Sequence, residues 1–189
     1  MDDIVKAAMA KWPNVPHCYG WLGLDARGQW FMRDDATQAA GPFARGPGET
    51  CLVAKGSRLL HEKLIDFIHR NYACDETGCW FFQNGPQRVY VELEVTPYIW
   101  RLQPDGRVLA HTGQSAGQVQ RCWVDELGRL YLTTELGLGL VHTSDMALAA
   151  DAVEAGRWEP QDIRFAELPA LGAFVLSPQQ YKRTQAPGC

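Results

Sequence analysis

No basic run longer than the pair Lys182–Arg183 interrupts this 189-residue chain, whose formal net charge is −4. Domains that grip nucleic acid cluster Lys and Arg against the phosphates, so no nucleic-acid partner is expected. Apolar runs are equally short, a few residues against the roughly 20 that cross a bilayer, and no membrane partner is expected. The first residues, "MDDIVKAAMAKW", place two Asp where a secretory leader needs positive charge, and no long apolar segment follows. The expected compartment is therefore the cytoplasm. There the six cysteines, Cys18, Cys51, Cys74, Cys79, Cys122 and Cys189, are free thiols or metal ligands rather than disulfides. The common enzyme signatures are missing too: no P-loop, no Gly-x-Ser-x-Gly and no His-Glu-x-x-His. In "ELGLGLVH", His142 stands where a dinucleotide fingerprint needs its third glycine.

What is present reads as an ordinary globular chain, 46% apolar and 21% charged, long enough for one domain with a substantial core. Residues 2–12 have helical spacing and end at Pro13. From Ser57, taken as an N-cap, Leu60, Leu64, Ile65, Phe67, Ile68 and Tyr72 line one side of a helix over 57–73. The segment "CWFFQNGPQRVYVELEV" gives two strands about an Asn84–Gly85 turn, the second in strict alternation. "WLGLDARGQW", "WRLQPDGRV" and "WVDELGRLYL" share one kind of Asp-to-Gly turn, and their unequal spacing argues for a meander rather than a repeat array. A second helix is expected from Asp145 to Ala155, ended by Gly156. Residues 34–50 form a functional or mobile loop, and 184–189 a loose tail. The expected fold class is α+β: a single domain over 1–189, with a twisted antiparallel β-meander from about 19–33 and 80–142, covered on one face by the 57–73 helix.

Candidate chemistry centres on "NYACDETGCWFF". Cys74 and Cys79 could be half of a zinc site, with His69 and Cys18 as further ligands, but tetrahedral closure needs a set the sequence does not gather. A redox pair is disfavoured because Cys74 would sit at a helix C-terminus, where the dipole opposes a thiolate. The bland alternative makes "DETG" a turn between helix and strand and Cys79 a small buried residue. His61 falls inside the apolar stripe, while His111 and His142 follow strands, where paired imidazoles can shuttle protons. Glu92 and Glu94 share a strand face about 7 Å apart, within glycosidase range, though any half-exposed strand alternates this way. That face also carries Phe81, Arg88 and Tyr90, with Phe81 opposing Tyr90.

Three functions follow: a non-catalytic binding or interaction module holding a protein or small ligand on Phe81, Arg88, Tyr90, Glu92 and Glu94; a zinc- or thiol-dependent enzyme around His69, Cys74, Cys79 and Cys18; and a hydrolase on Glu92 and Glu94. The first is preferred. No cofactor is expected, zinc entering only with the second.

The stretches "KWPNVPHCYGWLGLDARGQWFMRD" and "GAFVLSPQQ" resemble an uncharacterised bacterial family of unknown function, the likeness running along the whole chain. That resemblance implies a bacterial cytoplasmic protein and carries no activity, cofactor or catalytic residue.

Overall fold

A computed structural model describes residues 1–44, 46 and 52–185. Among these residues, twelve strands and seven α-helices make two six-stranded sheets with helices around them. The first sheet holds β1 (Cys18–Leu24), β2 (Trp30–Met32), β3 (Ser57–Arg58), β4 (Tyr72–Cys74), β5 (Trp80–Asn84) and β6 (Gln87–Leu93), in the order β3-β2-β1-β6-β5-β4. The second holds β7 (Tyr98–Leu102), β8 (Val108–Ala110), β9 (Val119–Val124), β10 (Leu130–Thr134), β11 (Leu138–Val141) and β12 (Pro160–Asp162), in the order β12-β9-β10-β11-β7-β8. The helices are α1 (Asp3–Lys11), α2 (Asp35–Ala39), α3 (Leu52–Lys55), α4 (Glu62–Arg70), α5 (Met146–Glu154), α6 (Leu168–Gly172) and α7 (Pro178–Gln185).

The α+β class stands, but the single antiparallel meander does not. Both sheets are mixed, because β6 pairs parallel with β1, β11 with β7 and β12 with β9. One five-strand plan is built twice. A hairpin (β1–β2, then β7–β8) is followed by a three-strand meander (β4–β5–β6, then β9–β10–β11) whose last strand returns parallel to the first strand of the hairpin. The three look-alike turns belong to this plan, and "CDETGC" is a fourth. In each, a backbone pair closes the loop, and Gly28, Gly78, Gly106 or Gly128 takes φ between +73° and +85°. Asp25, Asp75 and Asp125 each accept two backbone N–H bonds across their own turn, at 2.8–3.0 Å. A bulged hairpin needs that left-handed glycine, and an Asp carboxylate bridging its own loop supports it.

"DETG" therefore joins two strands rather than a helix and a strand. The helix expected over 57–73 is shorter, Glu62–Arg70. Ser57 is not its cap: Ser57 and Arg58 pair with Met32 and Phe31 at the sheet edge, and His61 Nδ1 caps the helix by accepting the Leu64 N–H. Of the 34–50 loop, Asp34 caps α2 through the Thr37 N–H and Phe43 is buried, while 45 and 47–50 lie outside the described residues. Of the tail, Thr184 and Gln185 end α7, and the rest lies outside that range, as do Cys51 and Cys189.

Alternation on β6 decides the packing. Val89, Val91 and Leu93 face a core shared by both sheets, with Leu22, Leu24, Trp30 and Phe82 from the first and Ile99, Tyr131, Leu138 and Leu140 from the second. Each such side chain contributes about 1.5–3 kcal/mol on burial. Ile68 of α4 enters the same core, and Phe67 meets Phe82 edge-on at 5.4 Å. A second cluster, around Trp100, Leu102, Leu130 and Leu132, lies on the other side of the second sheet, with Ala149 of α5.

The other face of the first sheet is roofed by polar joints. Arg33, 1% exposed, donates from Nε to Ala54 O, from Nη1 to Gly20 O and from Nη2 to Gly41 O, tying β1, α3 and the 40–44 segment together. Glu92, 2% exposed, accepts the Ser177 hydroxyl at 2.5 Å and the Gln179 N–H at 3.1 Å, fixing the start of α7 on β6. Burial pushes the Glu92 carboxyl up, against the lowering pull of Ser177, Gln179 and Arg33. Gln179 also donates to Gln38 of α2 at 2.8 Å. Gly20, at φ +80°, leaves room for both amides, which any Cβ there would strike.

Candidate ligand-binding face

Tyr90, 5% exposed, organises a small buried cluster on that face with Phe81 and Cys79, which the half-buried Tyr19 covers. It projects from β6 on the side of Arg88 and Glu92, and the register sets Phe81 directly opposite on β5. Tyr19 of β1 stacks on it, centroids 4.5 Å apart and planes 9° from parallel, and His17 meets it edge-on at 5.8 Å. The Tyr90 hydroxyl donates to Asp75 Oδ2 at 2.9 Å, so the "DETG" turn anchors the ring. Burial raises the Tyr90 phenol well above its ordinary range. Burial also pushes the Asp75 carboxyl up, but bonds from Thr77, Tyr90 and the Cys79 N–H outweigh it and hold Asp75 below the usual value.

Two cations stand over these rings. Arg88 lies 4.5 Å from the Phe81 centroid, and Lys182 of α7 reaches 4.2 Å from that of Tyr19. Such contacts contribute about 0.5–1 kcal/mol at exposed sites, more once dry. Partial burial, then Arg88 and Lys182, depress the His17 imidazole, as a locally positive field requires. Among the described residues neither Arg88 nor Lys182 forms a salt bridge with a carboxylate.

Of the residues singled out in the sequence, the fold gathers Phe81, Arg88 and Tyr90. Glu92 lies on the same side but under α7. Glu94, beyond the end of β6, accepts the Ala26 N–H at 2.8 Å and Lys55 Nζ at 2.9 Å in a separate cleft. The two carboxylates thus serve different partners. Of the zinc set, His69 Nε2 accepts the Trp30 indole N–H at 2.9 Å, and Cys74 and Cys79 flank their turn. Burial drives the Cys74 thiol up to about 11 and raises Cys79 and Cys18 as well, which opposes thiolate chemistry. Among the described residues no three His, Cys, Asp or Glu side chains gather as a metal site would require.

Sequence reasoning reached His17 only as a candidate further zinc ligand beside Cys18, and did not single out Tyr19 or Lys182 as binding residues. Tyr19 lies within the register irregularity between Cys18 and Leu22, which breaks the strand's alternation. Lys182 rides a helix whose one sequence signal is "SPQQ", a Ser followed by Pro at the first helical position.

The architecture defines a class: an α+β protein of two mixed sheets on a doubled five-strand plan, with an aromatic face edged by cations. The chain belongs to the family described as "Protein of unknown function (DUF2946)", which matches residues 1–183. It is similar to two solved bacterial structures. One, a DUF1285 family protein from Silicibacter pomeroyi DSS-3, is 13% identical over 73% of this chain and 72% of that one, with a TM-score of 0.46. The other, a DUF1285 family protein from Shewanella baltica OS155, is 16% identical over 69% of this chain and 91% of that one, with a TM-score of 0.43. No curated protein matches. No helix among the described residues is long and apolar enough to cross a membrane.

Proposed function

We propose that this protein is a non-catalytic binding module whose aromatic face on the first sheet holds an acidic segment of a partner protein. The observation that carries the reading is Arg88 and Lys182 standing over Phe81 and Tyr19 without a carboxylate partner, on a chain of net charge −4. Both cations act on the His17 imidazole, so an incoming carboxylate near that ring would meet the two charges together. Tyr and Arg are also enriched among the side chains that concentrate binding energy at interfaces. Glu92, Ser177 and Gln179 hold α7 in place, so Lys182 is set before the partner arrives.

The test is fluorescence anisotropy with a labelled Glu-rich peptide. Arg88→Glu combined with Lys182→Glu should weaken binding about ten-fold or more, and raising salt should weaken the wild type but not the variant. Equal affinity for wild type and double variant at low salt would overturn the reading.

A further inference from the structure

A cleft of about 530 Å³ opens on the other end of the first sheet, lined by Asp25, Arg27, Gln29, Phe31, Lys55 and Glu94. Its floor is a fixed ion pair. Lys55 Nζ lies 2.9 Å from Glu94 Oε2 and 3.6 Å from Asp25 Oδ2, and Lys55 and Asp25 are 8% and 5% exposed. Glu94 Oε2 also takes the Ala26 N–H, which leaves Oε1 with no hydrogen bond among the described residues. Neighbouring backbone holds these groups rigid. Arg33 grips Ala54 O next to Lys55, and Gly56, at φ +87°, sits so close to the Met32 carbonyl that a Cβ would collide with it.

From this geometry we infer that the cleft is a second site, separate from the aromatic face, and that it binds a neutral polyol of sugar size through two vicinal hydroxyls. An ammonium donor and a free carboxylate oxygen sit side by side on one ion pair. The first hydroxyl can accept from Lys55 Nζ while its neighbour donates to Glu94 Oε1, a complementarity that a single alcohol or an isolated charge cannot match. The charged lining balances, Asp25 and Glu94 against Lys55 and Arg27, so an ionic ligand gains nothing from the field and must surrender its own hydration. The Phe31 ring, with Lys55 Nζ 5.3 Å from its centroid, adds an apolar edge to the lining, and the Gln29 amide can both donate and accept at the rim. A volume of this order is usual for small-ligand sites.

Amide NMR on the whole chain tests it with three probes, glucose, ribose and myo-inositol, beside glutamate and lysine as charged controls. At least one polyol should shift the Ala26 and Gly56 amides with a dissociation constant in the millimolar range, about 1–20 mM, with no change at Tyr19 or Lys182. Glu94→Gln should weaken that binding about five-fold or more, and Gln29→Ala, whose side chain makes no hydrogen bond among the described residues, about three-fold. If none of the three polyols moves these amides at about 100 mM, or if the charged controls alone do, the inference is wrong. Shifts that persist unaltered in Gln29→Ala and in any folded Glu94→Gln protein would equally overturn it. Failure here leaves the aromatic face untouched, since its peptide probe reports at different residues.

Discussion

Arg33→Met should lower the unfolding free energy by about 3–5 kcal/mol, seen as a large fall in the urea midpoint with an unchanged slope. The guanidinium is buried and spends its donors on the carbonyls of Ala54, Gly20 and Gly41, with no carboxylate in salt-bridge reach among the described residues. Removing it orphans three acceptors and takes away a cation whose charge lowers Glu92, a carboxyl that burial already pushes up. Methionine keeps most of the volume, so the loss reports the hydrogen bonds rather than a cavity. Arg33→Lys should recover little, because one ammonium cannot point along three fixed directions. A loss below about 1 kcal/mol in Arg33→Met would show that the 40–44 segment and α3 do not depend on this joint.

Acidification from neutral pH should weaken the protein through a buried imidazole. His111 Nδ1 accepts the Ile99 N–H at 3.3 Å, so a neutral ring carries its proton on Nε2, which is buried without a partner. Trp30, His69 and Tyr72 surround it, with ring centroids 5.5–5.9 Å away. Burial, with a smaller push from His69, brings the His111 pKa down to about 3. Burial lowers His69 too. In the unfolded chain histidine titrates near 6.5, so below that pH the unfolded state takes up a proton that the folded state refuses. Stability is therefore whole above about pH 6.5, falls as the pH drops, and stops responding to His111 only near its folded value. From pH 7.5 to 4.5 the loss should be about 2–3 kcal/mol. Asp75, Asp125 and Asp145 are held low and keep their protons off through that window, whereas Glu92, pushed up by burial, takes its proton earlier in the folded state and works in the opposite direction. Urea unfolding at both pH values, on wild type and His111→Gln, checks this. The variant should lose the share that His111 carries, the remainder coming from His17, His69 and His142, whose imidazoles burial also lowers, and an equal slope in both proteins would exclude His111 as a source.

How much of this could be read from residues alone differs by element. β5 and β6 were legible, because alternation and an Asn-Gly turn fix a hairpin's register locally, and with it the meeting of Phe81 with Tyr90. The Asp-to-Gly turns were legible for the same reason. Parallel pairing was not: β1 meets β6 and β7 meets β11 across long intervening chain, and no short-range signal sets that register. This is why one meander was expected where two mixed sheets stand. It also explains the fate of Glu92 and Glu94, whose alternation was correct but whose partners, the start of α7 and Lys55, come from distant segments. The apolar stripe of α4 located that helix, yet its start shifted because strand pairing claimed Ser57 and left His61 to cap it. Lys182 was invisible as a site residue for a physical reason. Its meaning depends on α7 docking through the buried Glu92.

The most direct measurement of the binding account is amide NMR of the full chain titrated with the unlabelled Glu-rich peptide. The account predicts that shifts concentrate at Tyr19, Phe81, Arg88, Tyr90 and Lys182 and fade as salt is added. Shifts scattered over the second sheet, or none at all at peptide concentrations up to about 1 mM, would contradict it.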